Sequence, residues 1–431
     1  MASARRKRSY STQLPTRKKP RGAKTIRVPI TQEAHDVFMD DTHFARIQLD
    51  YQIALHPELF PEAIKYGYKL NGFTEPSKKL DGLQCRRIKL TSNGEGYTIA
   101  PSFVMPYMTA YTSDVAKALL LVCFGVPCWV LTLIFGRNDQ YWYRVAVQFG
   151  RNSIVGTTVK DPDQLPTHLL GDEKHTWENG HKRFIALTIG GYCILGAAFA
   201  LDAGTDALTK AYGRFAEEVR NVLPTYGADS VNLDGWAATK AAWLALFPRV
   251  YVVPCFLHAF LKIRNRCKHL GVTFQLISTL VWDAYRAKDP ESFRARIGEL
   301  RETATASVNA GPGLEAILKL CNKSTEYAEA YNHPGAYRTS TYLDQIMDRI
   351  DRIVYANKYF HGHTQSSDDK VRALALLQNF RPYCPRSKIS KVFSSPAHRL
   401  NGFVYAANWV ENLLVSASMC GLRQRPQIPL E

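Results

Sequence analysis

The sequence predicts a mixed α/β protein built around one sheet, and three patterns in the chain support this. Short strand-like apolar runs lie close together between residues 165 and 200. Between residues 205 and 268, segments with helical spacing alternate with two further strand-like runs. On either side of this region, segments with helical period predominate. An α/β core flanked by helical parts follows from these patterns.

The order of the predicted elements is β-β-β-α-β-α-β-α. The first three strands lie in HLLGDEKHTW, KRFIALTIGG and GYCILGAAFALDA, and the short Gly-Tyr connection between the last two is typical of a hairpin. In GTDALTKAYGRFAEEVRNVLP, one helical face repeats Leu208, Tyr212, Phe215 and Val219. The remaining elements are the strand DSVNLD, the helix AATKAAWLALFP, the strand RVYVVPC and the helix FLHAFLKIRNRC.

This order describes the ribonuclease H-like fold, in which the first and fourth strands lie side by side in a mixed five-stranded sheet with flanking helices. Asp172 lies in the first predicted strand, and Asp234 ends the fourth. Taken alone, Asp234 could simply cap the following helix. Two carboxylates on adjacent strands, however, can share divalent metal ions that activate a water or hydroxyl for attack on a phosphodiester. We therefore predict Asp172 and Asp234 as catalytic ligands of Mg²⁺, or of Mn²⁺, which carboxylates suit equally.

The charge of the chain favours a polyanionic partner. Lys and Arg number 55 against 38 Asp and Glu, giving a net charge of +17, a balance most often associated with nucleic acid. Residues 1–28 are basic, contain no acid and are predicted to form a disordered arm. A solvated tail or a targeting signal are alternatives, although no apolar core of a secretory signal follows. The residues of the arm predicted to contact DNA are Arg5, Arg6, Lys7, Arg8, Lys18 and Lys19.

Residues 29–160 are predicted to form a helical DNA-binding domain. Its nearly continuous apolar stretch, residues 118–136, is long enough for a membrane span, but Gly125 and Pro127 divide it into two short helices. We therefore predict no membrane association but a helix-turn-helix near 114–148, with a plain helical core as the alternative. The following polar and aromatic helix would present to DNA Arg137, Asn138, Tyr141, Tyr143 and Arg144.

The cysteines indicate a reducing compartment and one spacing with ligand chemistry. Nine cysteines, an odd number, are widely spread along the chain. Cys255 and His258 could form a zinc site together with His361 and His363. We prefer a hydrogen-bonded structural pair for Cys255 and His258, so zinc is not an expected cofactor.

Several stretches resemble bacterial insertion-sequence transposases of the DDE superfamily, broadly akin to Mutator-like elements. They cover most of residues 110–422 and read YWYRVAVQFGRNSIVGTTV, LLGDEKHTW, VNLDGWAATKAAWLALFP, CFLHAFLKIRNR, YFHGH, RALALLQNFRPYCP and LNGFVYAANWVENLLVSASM. The resemblance implies cleavage of double-stranded DNA at transposon ends and joining of the freed 3′ hydroxyl to target DNA. It also implies a homodimer or larger assembly on DNA, and a cytoplasmic, nucleoid-associated protein of a bacterium.

The resemblance implies a third catalytic group in a late helix, after an insertion. We divide the chain accordingly into a first part of the core at 165–268, a helical insertion at 269–385 and a C-terminal core helix region at 386–425. Related transposases often carry Glu, two residues and Asn in that last helix, but here His398 takes the place of Glu before Asn401. His398 and Glu411 are therefore both candidates for the third group, since imidazole can also bind divalent metals.

Loss of the third group is the remaining possibility. The protein would then be a catalytically inactive, transposase-derived DNA-binding protein. A structure-selective nuclease on the same fold is a weaker alternative, because the large insertion and the N-terminal helices have no evident place in it.

Overall fold

A computed structural model describes residues 22–422 of the protein, which form a mixed α/β structure with two mixed sheets. The strands are β1 (Thr25–Val28), β2 (Tyr68–Phe73), β3 (Arg86–Leu90), β4 (Gly96–Pro101), β5 (His168–Glu178), β6 (His181–Gly190), β7 (Cys193–Ala200), β8 (Ser230–Leu233) and β9 (Tyr251–Pro254).

The N-terminal and central helices are α1 (Gln32–Asp40), α2 (Thr42–Leu55), α3 (Thr112–Cys123), α4 (Cys128–Phe135), α5 (Asp139–Val147), α6 (Ile154–Thr158), α7 (Thr205–Val222), α8 (Ala237–Leu246) and α9 (Phe256–Cys267). The later helices are α10 (Val272–Tyr285), α11 (Pro290–Ser307), α12 (Pro312–Asn322), α13 (Ser324–Glu329), α14 (Thr341–Ala356), α15 (Thr364–Phe380), α16 (Pro396–Asn401) and α17 (Trp409–Ser416). Short 3₁₀ turns connect several of them.

The five-stranded sheet has the strand order β7-β6-β5-β8-β9. Strands β5, β6 and β7 form an antiparallel meander, whereas β8 and β9 run parallel to β5. All five predicted strands, their order along the chain and the pairing of the first with the fourth are thus confirmed. The predicted hairpin turn is also present, because Gly191 and Tyr192 both have positive φ, as a tight two-residue turn requires.

Helices cover both faces of this sheet. On one face lie α7 and α8, and the apolar face predicted for α7 is buried there, including Leu208 and Phe215. On the other face, α15 packs on β7 and α14 packs on β5. Because both faces are covered, β7 is buried along its whole length.

The prediction of a helical domain at 29–160 was wrong for part of that range. Strands β1 to β4 form a four-stranded sheet in the order β1-β4-β3-β2, and β1 begins inside the segment predicted as a disordered arm. The missed signal is the period of two in β3, where Ile88 and Leu90 are buried while Arg87 and Lys89 are exposed. Such short alternations are weaker than a helical period, which explains the error.

The three helices α3, α4 and α5 occur where the sequence predicted them, with Gly125 in the break between the first two. They do not pack as a separate unit. Leu119, Leu131 and Trp142 are buried in the same apolar cluster as Leu374 of α15 and the sheet residue Leu187. Within residues 22–422, no helix combines the length and apolarity that crossing a membrane requires.

The segment predicted as one helical insertion, 269–385, divides between two cores. Helices α10 to α12 bury Ile277, Phe293 and Leu320 in a cluster that also includes residues of α9. Helices α14 and α15 instead contribute Ile350 and Leu374 to the cluster on the five-stranded sheet. The sequence alone did not separate these two groups of helices, because a helical period identifies an apolar face but not the surface against which it packs.

Candidate metal centre

Asp172 and Asp234 are brought together by the parallel pairing of β5 and β8. The last register pair joins Leu170 to Asn232, and each aspartate lies two residues further along its strand direction. Since side chains two residues apart in a strand point to the same face, the register directs both carboxylates to the same side of the sheet. Gly235 then turns the chain with positive φ, and the amide of Trp236 donates to Asp234 Oδ1 at 2.8 Å.

Two further residues complete the cluster, one from each of two helix N-termini. Potential ligand atoms of Asp172, His258 and Asp344 all lie within 4.8 Å of one another, and all three residues are half-buried. His258 lies in the first turn of α9, directly after β9, and Asp344 lies in the first turn of α14. The candidate centre thus combines a central strand, the end of its neighbour and the beginnings of two helices.

Hydrogen bonds hold these two helix starts together. The Cys255 thiol donates to Ser340 Oγ at 3.3 Å, and the Ser340 hydroxyl donates to Asp344 Oδ2 at 3.0 Å. The amide of Phe256 donates to the Arg338 carbonyl at 3.0 Å. The beginning of α9 is therefore fixed to the segment that leads into α14, so that Asp344 is positioned by residues adjacent to His258.

The centre carries surplus negative charge. The pKa of Asp172 is raised to about 6, mainly by burial and in part by the carboxylates of Asp234 and Asp344, against the opposing effects of the Glu173 amide and His258. The Cys255 side chain raises the pKa of His258 to about 9, with contributions from Asp172 and Asp344. Nearby negative charge raises the pKa of an acid and of an imidazole alike, so the carboxylates contribute to both increases. The same negative potential favours a bound cation.

The residues present fit a divalent metal ion. Carboxylate oxygens are preferred ligands of Mg²⁺ and Mn²⁺, and imidazole suits first-row transition metals such as Mn²⁺. The Nδ1 atom of His258 is buried and has no hydrogen bond of good geometry to any atom of residues 22–422. Asp172, Asp234 and Asp344, with His258 beside them, therefore form a donor set that could hold such an ion.

Glu173 faces the opposite side of the sheet, as the alternation of a strand requires. Its carboxylate accepts hydrogen bonds from Tyr212 at 2.6 Å and from Thr239 at 2.9 Å. Burial raises the pKa of Glu173 to about 7, although these two hydroxyl donors oppose the shift. His175 shares this face, so neither residue takes part in the cluster around Asp172.

The structure does not bring His398 or Glu411 to the two aspartates, which corrects the prediction for the third group. His398 lies in α16, and its ring accepts a hydrogen bond at 2.9 Å from the amide of Ser394, just before that helix. Glu411 accepts hydrogen bonds from Ser102 at 2.8 Å and from Thr112 at 3.0 Å. Its carboxylate lines a separate pocket of about 540 Å³ beside the N-terminal sheet. The register of the sequence motif and the chemistry of an acid therefore each pointed to a residue that lies apart from Asp172 and Asp234.

A zinc site containing all four predicted residues does not form either. Gly362, between His361 and His363, accepts a hydrogen bond from Asn179 in the turn between β5 and β6. That turn lies about 20 Å along β5 from Asp172 at ~3.3 Å per residue. Cys255 instead binds Ser340.

The predicted DNA-contacting residues of α5 differ in what they offer a ligand. Arg137 and Arg144 are exposed, and the Arg137 guanidinium lies 5.6 Å from the centre of the Tyr141 ring. Asn138 uses its side-chain oxygen to cap α5, where it accepts from the Tyr141 amide. Tyr143 is half-buried. The basic residues of the arm, Arg5 to Lys19, lie outside the described residues.

Asp344 is the site residue that the sequence reasoning missed. A signal was present, because Asp344, Asp348 and Asp351 recur at helical spacing along one edge of the apolar face of α14. Asp351 lies 3.4 Å from Lys174 of β5, so this acidic stripe runs beside the strand that carries Asp172. The spacing alone does not show which surface α14 packs against, so it does not connect Asp344 with Asp172. No model of a known protein family and no curated protein matches this chain.

Proposed function

We propose that this protein is a metal-dependent DNA transposase with a ribonuclease H-like core. One observation carries the proposal: Asp172, His258 and Asp344 meet within 4.8 Å beside Asp234, at the end of the strand parallel to β5. The strand order of the five-stranded sheet and the resemblance of the sequence to DDE-superfamily transposases agree with it.

The proposed roles follow from position and charge. Asp172, Asp234 and Asp344 would hold Mg²⁺ or Mn²⁺, with His258 as a further ligand or as a group that balances their charge. When bound, such ions activate a water or hydroxyl nucleophile and stabilise the leaving oxygen of a phosphodiester. The chain itself fixes the carboxylates through the β5–β8 register and through Ser340.

Substrate binding would rest on the positive charge of the chain. With a net charge of +17, the protein attracts DNA phosphates, and its negative cluster is a local exception to that charge. The arm and the exposed Arg137 and Arg144 are proposed to contact double-stranded DNA, both transposon ends and target. A homodimer or larger assembly would hold two ends together.

The alternative of a catalytically inactive DNA-binding protein rested on His398 in place of a third acid. Asp344 supplies an acid beside Asp172, so that reason for the alternative no longer applies. The same reasoning leaves His398 and Glu411 without a proposed part in the chemistry.

The decisive experiment compares two aspartates of one helix. Purified wild type, Asp344→Asn and Asp348→Asn are incubated with Mg²⁺ or Mn²⁺ and with DNA carrying the sequences that flank the gene, and cleaved and joined products are measured. We expect Asp344→Asn to lower the rate at least about 10³-fold, as the loss of one member of a catalytic unit does. Asp348, exposed one turn further along α14, is the matched control and should stay within about threefold. A wild type that binds this DNA but never cuts it would refute the proposal.

A further inference from the structure

The hairpin of β5 and β6 extends beyond the end of β8 and carries an aromatic surface on the side of the sheet away from the Asp172 carboxylate. Strand β8 ends at Leu233, whereas β5 continues to Glu178, about 20 Å past Asp172. On the hairpin face opposite Asp172, direct cross-strand pairs join His175 to Phe184 and Trp177 to Lys182. This surface therefore begins where the sheet neighbour of β5 stops.

Trp236 connects that surface to the candidate centre. Its ring centre lies 6.0 Å from that of Phe184, and its backbone amide donates to Asp234 Oδ1 at 2.8 Å. We call the five residues His175, Trp177, Lys182, Phe184 and Trp236 the aromatic platform. One member of the platform is thus bonded directly to a carboxylate of the centre.

The platform presents the Trp177 indole, the His175 ring and the Lys182 ammonium group to solvent. Phe184 is buried and forms its base, with the His175 ring packed edge-on at 4.8 Å and the Lys182 ammonium 5.4 Å from the ring centre. Trp177 is 46% exposed and Lys182 is exposed as well. None of the five side chains is acidic. Exposed indole beside an ammonium group is costly to leave in water but suits a ligand that has both an aromatic face and a negative charge.

An unpaired nucleotide has these two properties. Its base offers a face for stacking on any aromatic ring, and its phosphate offers a charge to a lysine. A base inside a duplex has both faces covered by its neighbours, so stacking on Trp177 requires an unpaired or extruded base. Trp177 and Lys182 would also stabilise the hairpin as a cross-strand pair, but that role does not require the indole to be exposed.

We propose that the aromatic platform stacks an unpaired nucleotide of the DNA strand whose phosphodiester is bound at Asp172 and Asp234. The preferred substrate is then DNA with an unpaired or distorted end rather than a fully paired duplex. This inference rests on the proposed function for its substrate, and on the platform geometry for its site.

The test measures the binding of full-length protein to a short labelled oligothymidylate and to a blunt duplex, by fluorescence anisotropy without metal. We expect Trp177→Ala to weaken binding of the oligothymidylate about 5- to 100-fold, the range for loss of one stacked base, and to leave duplex binding within about twofold. Trp177→Phe keeps a ring and should restore most of the affinity. Trp129→Ala is the matched control, because Trp129 is 61% exposed on α4 and is not part of the platform.

Salt separates stacking from simple charge attraction. The factor by which Trp177→Ala weakens the affinity for the oligothymidylate should be similar at low and high salt. Lys182→Ala should instead reduce the slope of log affinity against log salt by about one. Equal losses in Trp177→Ala and Trp129→Ala, or a Phe variant as weak as the Ala variant, would overturn the inference.

The outcome is distinguishable from failure of the proposed function. Binding of single strands that depends on Trp177, without any metal-dependent cleavage, would leave the platform as a nucleotide site and remove the transposase proposal. Cleavage that requires Asp344, together with single-strand binding that ignores Trp177, would leave the transposase proposal and remove the platform.

Discussion

The two faces of the five-stranded sheet carry neighbouring carboxylates, a buried one and a half-buried one, in opposite surroundings. On the face covered by α7 and α8, Glu173 accepts hydrogen bonds from Tyr212 and Thr239. On the face covered by α14, Asp172 meets further acids and an imidazole. Hydroxyl donors satisfy a buried carboxylate within the fold, whereas clustered acids leave negative charge that favours a bound cation. One residue step along β5 thus separates a structural acid from a candidate ligand.

The strongest way to break this comparison is to neutralise each carboxylate in turn. Asp172→Asn should lower metal-dependent cleavage at least about 10³-fold and leave the melting temperature unchanged or higher, because it removes one of several like charges. Glu173→Gln should retain most of the cleavage activity. Cleavage assays and thermal unfolding on the same preparations measure both effects. If Asp172→Asn still cuts DNA, the two faces do not differ in their importance for cleavage.

The second prediction concerns stability on the face of Glu173. Glu173→Ala leaves two buried hydroxyl donors without an acceptor and a small cavity, and should cost about 2–4 kcal/mol in the free energy of unfolding. Glu173→Gln keeps an acceptor oxygen and should cost about 1 kcal/mol or less. Urea unfolding provides the measurement. Similar losses in the two variants would show that the hydroxyl bonds matter little.

The third prediction tests the face that carries Asp172 by measuring metal binding without any cleavage. Mg²⁺ or Mn²⁺ at about ten times its dissociation constant should stabilise wild type by about 1.4 kcal/mol and raise the melting temperature by about 1–3 °C. Asp344→Asn should abolish this shift, and Asp348→Asn should retain it. A shift of equal size in both variants would place the bound ion elsewhere.

The last prediction concerns a lysine on the α15 side of the sheet, whose effect on stability is expected only over part of the pH range. Burial lowers the pKa of Lys370 from 10.5 to about 8. Between these values the unfolded chain binds more protons than the folded protein, so this lysine makes stability rise as the pH increases from about 8 to 10.5, and below pH 8 its full cost remains. Lys370→Met should therefore gain about 1–2 kcal/mol near pH 7 and progressively less towards pH 10.

Denaturant unfolding of Lys370→Met and wild type across this pH range checks that gain. Tyrosine and cysteine titration is common to both proteins and cancels in their difference. Lys358→Met replaces an exposed lysine and should change stability by less than about 0.5 kcal/mol at any pH in the range. A constant difference between Lys370→Met and wild type would contradict the expected titration.

The sequence allowed accurate prediction wherever one strong local pattern decided the structure. The meander β5 to β7, the amphipathic α7 and the break at Gly125 all have dense, regular patterns, and all were confirmed. The N-terminal sheet was missed because its strands are short and distant in the chain, with β1 pairing to β4 across some 70 residues. Pairing over such a separation leaves no local trace.

The candidate site shows the same division. Asp172 and Asp234 were predictable because the strand order places their strands side by side. The register of two paired strands then fixes where a carboxylate in or directly after each strand lies. Asp344 was not predictable in the same way, because its position depends on which of several amphipathic helices packs on β5. His398 and Glu411 were favoured by motif spacing and by chemistry, and neither criterion contains packing information.

The sequence by itself determined the order of the elements around the core, the positive charge and the two strand-borne aspartates, because periodicity and charge are properties of the chain. Only the tertiary structure decided that α14 lies against β5, that Asp344 rather than His398 or Glu411 meets Asp172, and that Trp236 and Trp177 share one surface. The physical reason is that an apolar helix face stabilises the fold against any complementary surface. The choice among those surfaces depends on the shape and packing of the whole molecule.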